Sequence, residues 1–111
     1  MDSTLKAITI QTGVVKRLTR DMRMYTEEEV AEVKIYDQWK ADGVDEYKLR
    51  QQANVVEETR AMIPHTKNRL DDQIESLAAL LLVPGYEDTE QVKTAKEVLL
   101  LAQERADMVT K

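Results

Sequence analysis

Apolar positions along this chain recur at intervals of three and four, in three blocks separated by two short breaks that each hold a glycine. Such spacing puts the apolar side chains on one face of a helix. In the first block the stripe is Val15, Leu18, Met22 and Tyr25, then Val33 and Tyr36, with Val14 and Val30 beside it. It predicts a helix over about 12–41, interrupted on its apolar face at Glu29, where packing should be poorer. Leu5, Ile8 and Ile10 are interspersed with polar residues and are expected to begin extended.

The second block has the most regular register. Leu49, Ala53, Val56, Arg60, Ile63, Lys67, Leu70, Ile74, Leu77 and Leu81 step alternately by four and three. That heptad pattern is the signature of left-handed coiled packing, and it predicts a helix over about 46–82. Arg60 and Lys67 are charged members of the stripe, and Pro64 lies between them. Proline removes one backbone donor and crowds the carbonyl four residues back, so a kink at Pro64 is expected. The unbroken register argues for one kinked helix rather than two. A third helix, about 88–109, follows from Val92, Ala95, Leu99, Ala102, Ala106 and Val109, widened by Val98.

The breaks carry their own chemistry. Gly43 suits the left-handed residue that ends a helix, and Asp45 can accept from the free N–H groups opening the next. Pro84-Gly85 is a turn signal, and Asp88 or Thr89 can cap the third helix. Short connections make sequential helices antiparallel neighbours, and three single-striped helices can bury their stripes only against each other. The predicted fold is all-α: one domain over 1–111, an elongated antiparallel three-helix bundle with coiled-coil-like packing.

Composition narrows the function. The chain has 111 residues, three Gly, two Pro, no Phe and no Cys. Absence of cysteine excludes a disulfide framework and a thiolate metal site. A net charge of −5 disfavours nucleic acid and anionic lipid as partners. No apolar run reaches the ~20 residues a spanning helix needs, and no signal-peptide pattern is visible, so a cytoplasmic protein is expected. Catalysis has little to stand on. His65 is the only histidine, without a second His or any Cys to share a metal. Gly13, Gly43 and Gly85 are isolated and form no phosphate loop.

Two features point to binding. Lys16, Arg17, Arg20 and Arg23 cluster in an acidic chain, and Lys16, Arg20 and Arg23 share a helix face that suits an acidic partner. The alternative is internal pairing, because Arg17–Asp21 and Arg23–Glu27 are four residues apart. Leu80-Leu81-Leu82-Val83 and Val98-Leu99-Leu100-Leu101 exceed a single stripe, so some of these side chains should reach the surface. Trp39, with Tyr36 and Tyr47, is expected to plug the bundle tip.

The segment from Gln11 to Leu18 (Gln-Thr-Gly-Val-Val-Lys-Arg-Leu), with Tyr25 downstream, resembles the opening of the tubulin-binding cofactor A family. Tyr47-Lys48-Leu49-Arg50-Gln51-Gln52, then Val55 through Pro64, then Arg69-Leu70, is similar to that family's second-helix pattern. The match covers about Ile10 to Leu70. Two details depart from it: His65 stands where family members often carry an acidic residue, and Thr19-Arg20-Asp21 is less lysine-rich. The resemblance implies a folding cofactor that binds β-tubulin monomers after chaperonin release, on the route to the α/β heterodimer. It also implies other tubulin-folding cofactors as partners, association with the microtubule cytoskeleton, no nucleotide, no cofactor and no enzyme activity. Binding would be spread over helical surfaces, and the exposed members of the matching blocks are the candidates: Lys16, Arg17, Arg20, Tyr25, Gln52, Glu58, Arg60 and Arg69. The competing reading is a coiled-coil adaptor that self-associates through its spare leucines, with Arg60 and Lys67 setting register. A monomer or weak homodimer fits the first, a tight oligomer the second.

Overall fold

The computed structural model describes residues 2–109. Three helices follow in order: α1 (Ser3–Ala41), α2 (Glu46–Leu80) and α3 (Glu90–Met108). Each opens on a side-chain cap. Asp2 accepts from the Thr4 N–H, Asp45 from the Lys48 N–H and Thr89 from the Val92 N–H. These contacts satisfy donors that helix geometry leaves free. α1 closes on Gly43 at φ 76°, with the Gly43 N–H donating to Lys40 O and the Val44 N–H to Trp39 O. That pair of bonds is the Schellman arrangement, which a residue with positive φ makes possible.

The boundaries differ from the periodicity in three places. α1 begins at Ser3, so Leu5, Ile8 and Ile10 are helical rather than extended. Ile8 is fully buried, and Thr12 links it to Val15. Thr12 reads as polar, but its hydroxyl donates to Ile8 O at 2.6 Å, which leaves its methyl group to the core. α2 stops at Leu80 because the next bonds tighten to three-residue spacing, Leu82 N to Ala79 O and Val83 N to Leu80 O, ahead of Pro84. α3 starts at Glu90 because Thr89, not Asp88, is the cap. α2 runs unbroken through Pro64.

The rod measures 64 × 24 × 17 Å. Two side-chain ties fix how α1 and α2 meet. Gln11 donates to the Gln73 side-chain oxygen, and Gln52 donates to Glu32 O at 3.0 Å. The step from 11 to 32 equals the step from 73 back to 52, so the helices are antiparallel in one constant register. Ile8, Val15 and Met22 lie seven apart, as do Val56, Ile63, Leu70 and Leu77, and all are buried. The buried set on α2 is completed by Gln52 and Thr66 rather than Ala53 and Lys67. Arg60 and Lys67 therefore sit on the flank of the seam, not in it. Arg60 binds Glu29 at 2.6 Å and Glu57 at 3.2 Å, and Lys67 binds Asp71 at 2.8 Å.

The third helix covers only part of this pair. Its first turn borders Thr9 and Thr12, and its last turns border Lys16 to Arg23, so α3 runs parallel to α1 along the α1 N-terminal half. It contributes Val92, Ala95, Ala102 and Ala106 to the core, small side chains that let it approach closely. Beyond Met22 and Ile63 the rod is two helices only. Val56 stays buried there, whereas Val33, Tyr36, Trp39 and Leu49 are half-buried and Val30 is 69% exposed. The expected tip plug is incomplete for that reason. Trp39 is partly covered, but Tyr47 is exposed and accepts a hydrogen bond from Gln51 Nε2. The Glu29–Arg60 pair stands where the three-helix half gives way to the two-helix half.

The far end is tied differently. The Tyr86 hydroxyl donates to Asp2 Oδ2 at 2.7 Å, joining the α2–α3 turn to the start of α1. The Tyr86 and Thr4 donors hold the Asp2 carboxyl below its usual 3.8. A depressed carboxyl stabilises the fold above its unfolded pKa, and that stabilisation fades as pH falls through the folded value. Tyr86→Phe should bring the Asp2 carboxyl back toward 3.8, read by a carboxyl carbon NMR titration; an unchanged titration would show that the Thr4 N–H alone sets it.

Among the described residues no helix is long and apolar enough to cross a membrane, and no group of three His, Cys, Asp or Glu is placed to hold a metal ion.

Candidate interaction surface

The eight residues singled out by sequence fall into three settings. Lys16, Arg17 and Arg20 are exposed on α1 and line an open groove against α3, together with Arg23. The internal pairing considered for this cluster does not form. Among the described residues neither Arg17–Asp21 nor Arg23–Glu27 is an ion pair. The four cations stand side by side at helical spacing, facing water and α3.

Glu58 and Arg69 are exposed on α2. Glu58 borders a second open groove, with Trp39, Val44 and Val55, on the two-helix half. Arg60 is exposed but held by Glu29 and Glu57, and the Glu29 hydrogen bond raises its pKa further. It edges a third groove with Val33, Tyr36 and Val56.

Tyr25 and Gln52 were expected at the surface, and the structure places them otherwise. Tyr25 packs against the core cluster at the end of the three-helix half. Gln52 is 7% exposed, and its amide nitrogen is committed to Glu32 O across the helix pair. A buried amide must find a partner, and this one finds the facing backbone. Gln52 is thus turned into the helix pair, and Tyr25 is half-buried against the core. The polarity of Gln52 concealed this, because a heptad seam is expected to be apolar.

The spare leucines behave as their surplus predicts. Leu80, Leu81, Val98 and Leu99 pack on the core, whereas Leu82, Leu100 and Leu101 are mostly exposed. Sequence reasoning missed Leu101, Arg105 and Met108 as neighbours of the basic cluster. Their four-and-three spacing places them in one row on α3, a weak signal for a face. Only the parallel course of α1 and α3 reveals what that row meets. The clefts along the rod are open to solvent, and His65 is exposed on α2. The arrangement therefore offers surfaces for a protein partner.

The family model for tubulin binding cofactor A matches residues 3–99. Tubulin-specific chaperone A of Gallus gallus is 35% identical over 99 residues, covering 88% of this chain and 92% of the relative. Its Homo sapiens counterpart is 31% identical over 100 residues, covering 90% and 91%. The crystal structure of tubulin folding cofactor A from Arabidopsis thaliana superposes with a TM-score of 0.84 at 28% identity, covering 92% of this chain and 97% of that one. The human tubulin chaperone cofactor A structure gives 0.79 at 30% identity, covering 90% and 98%. The three-helix rod and the sequence that builds it agree along nearly their whole length with these proteins, and the chain belongs to the tubulin binding cofactor A family.

Proposed function

We propose that this protein is a tubulin-folding cofactor that binds β-tubulin monomers after chaperonin release and stabilises them on the route to the α/β heterodimer. The observation that carries the reading is the family match over residues 3–99, with curated relatives named for tubulin along most of their length. The family is one of tubulin-binding chaperone cofactors, not of enzymes, and the action is stoichiometric. A tubulin subunit without its partner exposes interface surface. A stiff rod with mixed polar and apolar faces can cover part of that surface and release it when another cofactor competes. A cytoplasmic place beside the microtubule cytoskeleton belongs to the same reading.

Docking is assigned first to Lys16, Arg17 and Arg20, which are exposed and free of ion pairs among the described residues. Glu58 and Arg69 are further exposed points, while Tyr25, Gln52 and Arg60 act by holding the rod in shape. Co-elution with purified tubulin subunits, under conditions that separate β from α, tests the function. A one-to-one complex with β-tubulin alone is expected; no complex from a folded bundle would remove the reading. Reversing Lys16, Arg17 and Arg20 to Glu should weaken the complex about ten-fold or more and flatten its salt dependence. Unchanged affinity would take the basic face out of the site.

The exposed Leu100 and Leu101 favour a second reading, self-association through α3. Sedimentation separates the two, because the capture role expects a monomer or weak homodimer and the adaptor a tight oligomer.

A further inference from the structure

The groove between α1 and α3 has two walls of different character. Lys16, Arg17, Arg20 and Arg23 supply the first, and Leu101, Arg105 and Met108 the second. Five cations thus line one groove of a chain whose net charge is −5, with Glu104 as the acidic residue beside them. Lys16 and Arg20 are four residues apart on α1, and Arg20 and Arg23 three, spacings at which like charges repel. Among the described residues none of these cations is in an ion pair, so their charge is not offset within the groove by a bonded carboxylate. Arg105 stands in the last turn of α3, where it offsets the negative end of the helix dipole and keeps that end of the groove basic. Leu101 and Met108 are 61% and 70% exposed on the same wall, an apolar area that the described residues leave uncovered.

We infer that this groove binds an acidic segment of the captured protein, rich in Glu or Asp and carrying an apolar side chain that rests on Leu101 and Met108. The inference rests on the capture role proposed above and names the kind of segment that the groove receives. Charge complementarity selects the occupant: carboxylates relieve the repulsion among five clustered cations, and an apolar side chain removes Leu101 and Met108 from water. A nucleic acid would satisfy the cations but leave the apolar wall uncovered, and the acidic remainder of the surface would repel it. The α3 wall lies beyond Leu99, the last residue that the family model matches, whereas the α1 wall lies within the match.

The test uses the full chain and short fluorescent peptides. One peptide combines glutamates with leucines at helical spacing, a second replaces each glutamate by lysine, and a third replaces each leucine by serine. Fluorescence anisotropy should show the first binding tightest, the third about three-fold more weakly and the second not at all, with binding weakening as salt is raised. Arg20→Glu with Arg105→Glu should lower the affinity about ten-fold or more, and Leu101→Ser with Met108→Ser about three-fold. Lys93→Glu, elsewhere on α3 and exposed, should leave it unchanged. All the substituted residues are exposed or half-exposed, and circular dichroism checks that each variant is folded. The inference is overturned if the wild type ignores the acidic peptide, if the reversed variant binds it equally, or if a DNA oligonucleotide binds as tightly. A wild type that holds tubulin but ignores the peptide would sink this inference and leave the capture role standing. One that holds neither would sink both.

Discussion

Leu70→Ala should lower stability by about 3 kcal/mol, the middle of the range for truncating a fully buried leucine. Leu70 has no exposed surface and lies in the cluster built from all three helices. Its neighbours one heptad away, Ile63 and Leu77, are themselves buried, so little can move in to fill the space. For a domain of this length the change corresponds to a drop in Tm of roughly 10–20 °C. The informative comparison is Leu49→Ala, at the same heptad position but in the two-helix half, where Leu49 is only half-buried. That change should cost under about 2 kcal/mol, because less apolar area leaves water and the site is already open. Thermal and urea unfolding followed by circular dichroism would measure both. Equal losses at the two positions would mean that α3 contributes no extra burial to its half of the rod.

Pro64→Ala should move stability the other way. A proline inside a helix is about 3 kcal/mol worse than alanine, through the missing N–H and the clash with the preceding turn. α2 nevertheless continues through Pro64, and the ring lies on the exposed side between buried Ile63 and Thr66. Alanine there sacrifices little burial and restores a donor to the Arg60 carbonyl. Proline also restricts the unfolded chain, which offsets up to about 1 kcal/mol of that benefit. The expected net gain is about 2 kcal/mol, seen as a higher urea midpoint with an unchanged slope. A loss instead would mean that α1 packs on a bend that only the proline provides. Tubulin capture by the same variant then separates the roles. Greater stability with weaker capture would mark Pro64 as a residue retained for the shape of the rod.

Much of this protein follows from the spacing of its apolar residues alone. Intervals of three and four, two glycine-bearing breaks and the caps that open the second and third helices determine three helices, their order and their antiparallel course, because backbone geometry and burial act locally and periodically. The basic cluster on α1 was legible for the same reason: Lys16, Arg20 and Arg23 share a face in any helix. The start of α1 was obscured because Thr12 hides its hydroxyl in its own helix, and Gln52 was misjudged because its amide is satisfied by a backbone far away in sequence. Tertiary structure alone decided the rest. The short α3 lies along half of the rod, so side chains of equal periodicity are sealed on one half and half-open on the other. Its parallel course beside α1 carries Leu101, Arg105 and Met108 to Lys16, Arg17 and Arg20. Periodicity within a helix states which residues share a face, but what that face meets depends on the packing of another helix, a relation that no local interval encodes.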